Sequence, residues 1–292
     1  MNDFKIISWD ELAEGGKCLF PKGTAVTIGG FDGPHRGHKE LFGCVLDRAG
    51  REELTPGIVT FVRPPSAVRN NASYSGDVST LRLRLKKFEE SGFGFTVLID
   101  FSAGFAKMEG AAFFDILIKT ICVKYLVVGG DFYCGYRRGL GAEQLKELAP
   151  QMGFGFDSVG DVTAEDGIRI SSTAIREAVS AGDFARAKDL LGYPFAFDIA
   201  GAAWAVNGTQ SVSAPKRLFT QIFPPDGKYG VLLSSFKKNS DEEFKENKRE
   251  KQQAVFYAEK DEIRLAAGGH SQAFHTEDLN RFDTIEFICK EL

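Results

Sequence analysis

The 292-residue chain has only five cysteines and four histidines. Cys18, Cys44, Cys122, Cys134 and Cys289 are widely spaced and odd in number, and they form no CxxC. That usage fits reduced thiols better than a disulfide framework, and no Cys or Glu cluster at ligand spacing points to zinc. No window approaches the roughly 18 apolar residues of a membrane helix, and Met1-Asn2-Asp3-Phe4-Lys5 lacks the basic start and apolar run of a secretory signal. These absences predict a cytoplasmic protein. There is no excess of positive charge either: 36 Lys and Arg against 40 Asp and Glu give a net −4, which argues against a general nucleic-acid binder and leaves any anionic ligand to local cations. The two common nucleotide loops, one ending Gly-Lys-Ser/Thr and the other reading GxGxxG, are both missing, and no solenoid repeat is present.

What is there can bury a sizeable core: 43% hydrophobic residues, 12% aromatic, in a length that suits two domains. From residue 24 to about 191, apolar strand candidates alternate with amphipathic helices, the pattern of a doubly wound parallel α/β sheet. The strands are Thr24–Ile28, Gly57–Phe61, Thr96–Ile99, Tyr125–Val128 and Ile168–Ile170; the helices are Lys39–Ala49, Leu81–Ser91, Gly110–Ile121, Ala142–Pro150, Thr173–Ser180 and Phe184–Leu191. Cys44 falls within the first helix, on an expected core face. Beyond Pro194 short strands follow at Phe195–Ala205, Phe219–Phe223, Lys228–Leu233, Ala254–Glu259, Glu262–Ala266 and Thr284–Cys289, which predicts a small β-barrel-like domain. The expected division is 1–191 and 192–292. Residues 234–253 mix six basic and five acidic side chains whose charges cancel, so they read as a solvated hairpin extension or loop rather than a nucleic-acid contact.

Three loops carry chemistry. In the first, Gly29-Gly30-Phe31-Asp32-Gly33-Pro34-His35-Arg36-Gly37-His38, two imidazoles stand three residues apart where a strand gives way to a helix. The unpaired amides and positive dipole of a helix start suit a phosphate there. The second, Gly129-Gly130-Asp131-Phe132-Tyr133-Cys134-Gly135-Tyr136-Arg137-Arg138-Gly139, offers close backbone approach, aromatic surface for a planar ring, and in Asp131 an acid for a metal ion or a ribose. The third, Arg169-Ile170-Ser171-Ser172-Thr173-Ala174-Ile175-Arg176, puts hydroxyls at a helix cap and arginines around it, an arrangement the helix dipole disfavours unless an anion binds. Together they fit nucleotidyl transfer, in which one phosphate attacks another and the protein positions groups and stabilises charge.

In this order the motifs resemble those of the prokaryotic bifunctional riboflavin kinase/FAD synthetases, whose N-terminal half is a Rossmann-like HxGH nucleotidylyltransferase. GxFDGxHxGH spans Gly29 to His38, and GxDFxFGxxRxG resembles Gly129 to Gly139 with Cys134 for the second Phe. RxSSTxIR is intact from Arg169 to Arg176, and the likeness covers residues 20 to 194. It implies that AMP passes from ATP to FMN, giving FAD and pyrophosphate, with Mg²⁺ accompanying ATP and no nucleic acid or membrane involved. By carry-over His35, His38 and Arg176 are catalytic, and Gly29, Phe31, Gly37, Arg169, Ser172 and Thr173 bind ATP phosphates. Gly129, Asp131, Phe132 and Arg63 belong to the nucleotide and flavin region, Asp131 also being the metal candidate. Two departures stand out: Gly30 occupies a position usually Asn, and the TFxPHP segment reads Thr60-Phe61-Val62-Arg63-Pro64-Pro65, with Arg63 placed to meet the FMN phosphate in place of the histidine. The C-terminal half resembles the riboflavin kinase barrel only through Pro224 to Val231 and Asp283 to Ile288; its PTAN signature has no counterpart in 201–220, so kinase activity is expected to be absent. His270 and His275 read as surface residues. Transfer to another phosphorylated substrate, or a flavin or nucleotide sensor without turnover, are the alternative readings.

Overall fold

The computed structural model describes residues 4–64, 74–101, 104–208, 211–235, 251–268 and 281–290. They form two compact units, Met1–Tyr74 with Leu81–Ile170, and Ser75–Thr80 with Ser171–Leu292.

The first unit is built on β1 (Lys5–Ser8), β2 (Thr24–Ile28), β3 (Thr55–Phe61), β4 (Phe95–Ile99), β5 (Val123–Gly129) and, after a small hairpin of β6 (Tyr133–Cys134) and β7 (Leu140–Gly141), β8 (Gly155–Val159). Six of these pair in parallel in the order β1-β4-β3-β2-β5-β8. Every residue of β2 is buried. Val26 and Ile28 enter one core with Phe114, Leu117, Leu126 and Val128, and Ala25 enters the other with Leu41, Phe42, Val45, Phe88 and Val127. Burial on both faces is why the strand, Thr-Ala-Val-Thr-Ile, carries no charged residue on either face. From β2 the chain winds one way to β3 and β4, and from β5 the other way to β8, so strand order reverses between β2 and β5. Ligands of such sheets bind beyond the strand ends at this reversal, where the loops that begin at Gly29 and Gly129 stand.

Several expectations need correction. The last parallel strand is Gly155–Val159, not Ile168–Ile170, where Arg169 makes only an isolated bridge with Thr163. β8 is an edge strand with no fully buried residue, so its hydrophobic signal is faint. β1 was also invisible, being four residues on the opposite edge. Cys44 is exposed, because the core face of its helix (Arg36–Arg51) runs through Leu41, Phe42, Val45 and Ala49. Nor are all thiols free: Cys18 and Cys122 form a disulfide with Cα atoms 5.9 Å apart, while Cys44 and Cys134 are free. A separation of 104 residues hid the pair. Backbone bonds from Leu19 N–H to the Thr120 carbonyl (2.8 Å) and from Thr24 N–H to that of Cys122 (3.0 Å) lay the two segments side by side.

The second unit carries helices Ser172–Ser180 and Phe184–Leu191, then β9 (Ala196–Asp198), β10 (Ala205–Asn207), β11 (Ser211–Pro215), β12 (Gly227–Ser234), β13 (Lys251–Ala258), β14 (Glu262–Ala267) and β15 (Thr284–Lys290). The strands make an antiparallel, curled half-barrel in the order β10-β11-β14-β13-β12-β15-β9. Its core is aromatic: Phe184 stacks on Phe287 at 4.2 Å, with Phe195, Phe197, Tyr229 and Phe256 around them. The single strand expected over 195–205 is broken after Asp198, Ser211–Pro215 is an additional strand, and Phe219–Phe223 contributes only a bridge between Gln221 and Asp77. Of the charged segment 234–253, residues 236–250 lie outside the described residues, as do His270 and His275; Ser234 and Lys251 on its flanks are paired.

The Cys18–Cys122 link closes a loop long enough to stabilise the fold by about 2–4 kcal/mol. A thermal melt with and without dithiothreitol is expected to show the reduced chain unfolding at lower temperature, and Cys18→Ser to match the reduced chain. Equal melting temperatures would mean that the bond constrains nothing.

Candidate functional site

The Arg36–Arg51 helix begins with an uncommon cap. His35 is its N-cap residue, in extended conformation, and its Nδ1 accepts the backbone N–H of His38 at 3.3 Å. The His38 Nδ1 accepts the backbone N–H of His35 at the same distance. Two of the amides that a helix start leaves unpaired are thus satisfied by the motif's own imidazoles. The rings stack 3.6 Å apart, 19° from parallel.

This exchange fixes the chemistry of both rings. A neutral imidazole whose Nδ1 accepts must carry its proton on Nε2, so each ring retains one N–H donor for an anion. Both are held neutral. Burial, and next the positive charge of Arg169, lowers the His35 pKa to about 4. Burial, and next His35, puts that of His38 well below the usual histidine range.

The residues between strand and cap are shaped to allow it. Phe31 adopts a left-handed backbone (φ 45°), which costs a non-glycine residue about 1–3 kcal/mol. In return its ring is buried, edge-on to His38 at 5.0 Å, Phe42 at 5.3 Å and Phe88 at 6.0 Å. A Cβ on Gly29 would lie 2.7 Å from this ring, and one on Gly37 would lie 3.2 Å from the His35 Nδ1. Gly29 therefore leaves room that the buried Phe31 ring occupies, and a side chain at Gly37 would press on the His35 ring. At Gly30 a Cβ would meet nothing within 4 Å.

Beside this loop a cavity of about 350 Å³ opens at the carboxyl ends of β2, β3 and β5. Phe61, Phe101, Phe105 and Phe132, with Met108, give it a largely aromatic wall, and Gly29, Gly30, Asp131 and the β6–β7 hairpin also line it. At the hairpin tip Arg137 and Arg138 also line the cavity, lying over the rings of Tyr136 (5.1 Å) and Tyr133 (4.3 Å). Gly135 (φ 76°) allows close approach, since a Cβ there would lie 2.6 Å from the Gly110 nitrogen. Cys134 also lines the cavity, and burial pushes its thiol up to about 12, so it stays protonated.

Of the expected site residues, the first unit gathers Gly29, Phe31, His35, Gly37, His38, Gly129, Asp131, Phe132 and Arg169. Arg169 bridges Asp131 and Asp161, the latter at 2.9 Å. Arg63 is exposed, one residue past Val62, and Pro65 lies outside the described residues. Asp131 thus spends its charge on a guanidinium, and no group of three His, Cys, Asp or Glu able to hold a metal occurs among the described residues. The remaining three belong to the second unit. There Ser171 caps the helix, its Oγ accepting the Ala174 N–H at 3.2 Å, which leaves Ser172 and Thr173 in the first turn. Arg176 stands in the second turn, not the first, and its Nε donates to the Gly76 carbonyl at 2.8 Å, while Arg169 precedes the Ser171 cap and already has two carboxylate partners, so the expected clash with the helix dipole arises at neither. No helix of the described residues is long and apolar enough to cross a membrane.

One residue that the motifs did not announce is Arg84. It is 1% exposed and donates to the carbonyls of Gly30 (2.9 Å), Phe61 (2.9 Å) and Val62 (2.8 Å). The available signal was a cation between Leu83 and Leu85 in an amphipathic helix.

The depressed histidines make stability depend on pH with a definite sign. Between 6.5 and about 4 the unfolded chain binds protons that folded His35 excludes, so stability falls as pH is lowered through that window. Urea midpoints at pH 7 and pH 5 are expected to differ less for His35→Asn/His38→Asn than for the wild type. An equal difference would mean that the pair is not held neutral.

Comparison with known proteins agrees with this architecture. The family model described as FAD synthetase matches residues 19–174, more than half of the chain. The bifunctional riboflavin kinase/FMN adenylyltransferase of Escherichia coli K12 is 35% identical over 179 residues, 60% of this chain and 56% of that protein. The protein of the same name in Haemophilus influenzae is 29% identical over 219 residues, 73% of this chain and 70% of that one. The match to the Escherichia coli relative thus spans little more than half of its length. Among solved structures, that of a macrolide-efflux protein from Streptococcus pneumoniae superposes with a TM-score of 0.77 at 24% identity, covering 99% of this chain and 91% of that one, a likeness of fold. With its imidazole pair capping the helix at the sheet's reversal point, the chain belongs to the FAD synthetase family.

Proposed function

We propose that the protein is an FMN adenylyltransferase, making FAD and pyrophosphate from FMN and ATP. The reciprocal His35–His38 cap carries this reading, because it presents two neutral N–H donors at a helix start beside an aromatic cavity. A phosphate oxygen of FMN attacks the α-phosphorus of ATP, the new P–O bond forms, the bond to the β-phosphate breaks, and pyrophosphate leaves. The attacking oxygen is already an anion, so no side chain must accept a proton. His35 and His38 donate Nε2–H to phosphate oxygens whose charge grows during transfer, and Arg169, anchored by Asp131 and Asp161, steadies the loop beside them. Following the family motif, Ser172, Thr173 and Arg176 bind the phosphate tail. Mg²⁺ enters as the counter-ion of ATP, bound chiefly by phosphates and water, and Asp131, whose Oδ2 meets Arg169, is the acid of the site that would face it.

The flavin ring suits the cavity of Phe61, Phe101, Phe105 and Met108, with Arg137, Arg138 and the exposed Arg63 available to the FMN phosphate. The lack of a PTAN-like segment in residues 201–220 supports the absence of riboflavin kinase activity. Its substrates make it a cytoplasmic enzyme, whose Cys18–Cys122 pair would face a reducing thiol pool.

Incubation with ATP and Mg²⁺, in parallel with FMN and with riboflavin, tests the proposal by chromatography. FAD is expected from FMN and not from riboflavin. FAD from riboflavin would reveal an active kinase in residues 192–292; no FAD from either, with FMN and ATP bound, would make the protein a sensor. His38→Ala is expected to lower kcat about 100- to 1000-fold, the usual effect of losing one donor to developing charge. Gly30→Asn, whose side chain enters open space, is expected to retain the wild-type melting temperature and to raise kcat/KM; a lower value would assign Gly30 a role of its own.

A further inference from the structure

We propose that Arg84 is a positioning residue for the transfer step, holding the phosphate loop and the flavin wall in register. The inference rests on the adenylyltransferase reading above. Arg84 lies on the core face of the Leu81–Glu90 helix with Leu83 and Phe88, at 1% exposure. Burying a guanidinium costs several kcal/mol unless its N–H groups are paired, so its partners show what the cost secures. Nη1 donates to the Gly30 carbonyl at 2.9 Å and to the Thr60 Oγ1 at 3.4 Å. Nη2 donates to the carbonyls of Phe61 at 2.9 Å and Val62 at 2.8 Å. Thr60 Oγ1 in turn donates to the Gly30 carbonyl at 3.3 Å.

These acceptors belong to two segments with different tasks. Gly30 sits in the loop that leads from β2 to the His35–His38 cap, which receives ATP. Phe61 ends β3 and lines the cavity proposed for the flavin, and Val62 and then Arg63 follow it. One rigid, planar group thus joins the chain segments that hold the two reactants. An ammonium, a compact point charge, cannot reach all four acceptors in that fork geometry. In-line displacement depends on the attacking oxygen and the α-phosphorus being aligned, and a misplacement of about 1 Å costs on the order of 100-fold in rate. Arg84 therefore acts on alignment between substrates, not on the affinity for either one.

The test is steady-state kinetics of Arg84→Gln and Arg84→Lys, with kcat expressed per FMN-binding site counted by quenching of FMN fluorescence. For Arg84→Gln, kcat is expected to fall about 100-fold, with the KM for ATP and for FMN each within about threefold of wild type. Arg84→Lys is expected to recover part of the loss. A purely structural role would reduce the number of binding sites while leaving kcat per site intact, and that result would overturn the assignment, as would loss of FMN binding in both variants. A wild-type chain that makes no FAD would overturn the adenylyltransferase reading and this assignment with it. A wild type that makes FAD alongside unchanged Arg84 variants would overturn this assignment alone.

Discussion

The exchange of backbone hydrogen bonds between His35 and His38 is the constraint from which the site follows. A helix start exposes amides that need acceptors, and here the acceptors are the Nδ1 atoms of the two rings. That choice settles their tautomer, and burial keeps them neutral. The surrounding residues are then explained by space. Gly37 leaves room for the His35 ring, Gly29 leaves room for Phe31, and Phe31 accepts a left-handed backbone so that its ring can sit against His38.

Around this point the sheet brings together segments far apart in sequence. The carboxyl ends of β2 and β5 flank the reversal of strand order, and the β6–β7 hairpin supplies Arg137 and Arg138 to the cavity. Arg84 ties the end of β3 to the loop after β2. Within the second unit, Gln221 is buried and donates to the carbonyls of Val78 and Ala196, and Arg176 donates to that of Gly76. The 75–80 segment, built into the C-terminal unit by these bonds, leads in sequence straight into the helix that carries Arg84.

Much of this was legible in the residues, for identifiable reasons. β2 was read with its observed ends because its five residues, Thr-Ala-Val-Thr-Ile, are small or β-branched and carry no charge, and Phe184–Leu191 because a left-handed Gly192 stops it. β8 and β1 were not, since edge strands bury too little to stand out. The HxGH spacing pointed to a phosphate site, but the mutual capping depends on ring orientation, which spacing does not encode. Arg176 was placed one turn too early, and the carboxylate partners of Arg169 lie 38 and 8 residues away, so a dipole argument was applied to two arginines that it does not fit. Arg84 and the Cys18–Cys122 bond share a cause of invisibility: their meaning lies in partners 22 to 104 residues away.

The most direct test of the imidazole pair is nitrogen-15 NMR of the protein with labelled histidine, at pH 7, before and after addition of ATP. The geometry predicts that His35 and His38, identified by comparison with the His35→Asn and His38→Asn variants, are both neutral with the proton on Nε2, and that both Nε2 signals move when ATP binds. An imidazolium at either position without ligand, a proton on Nδ1, or Nε2 signals indifferent to bound ATP would contradict the account.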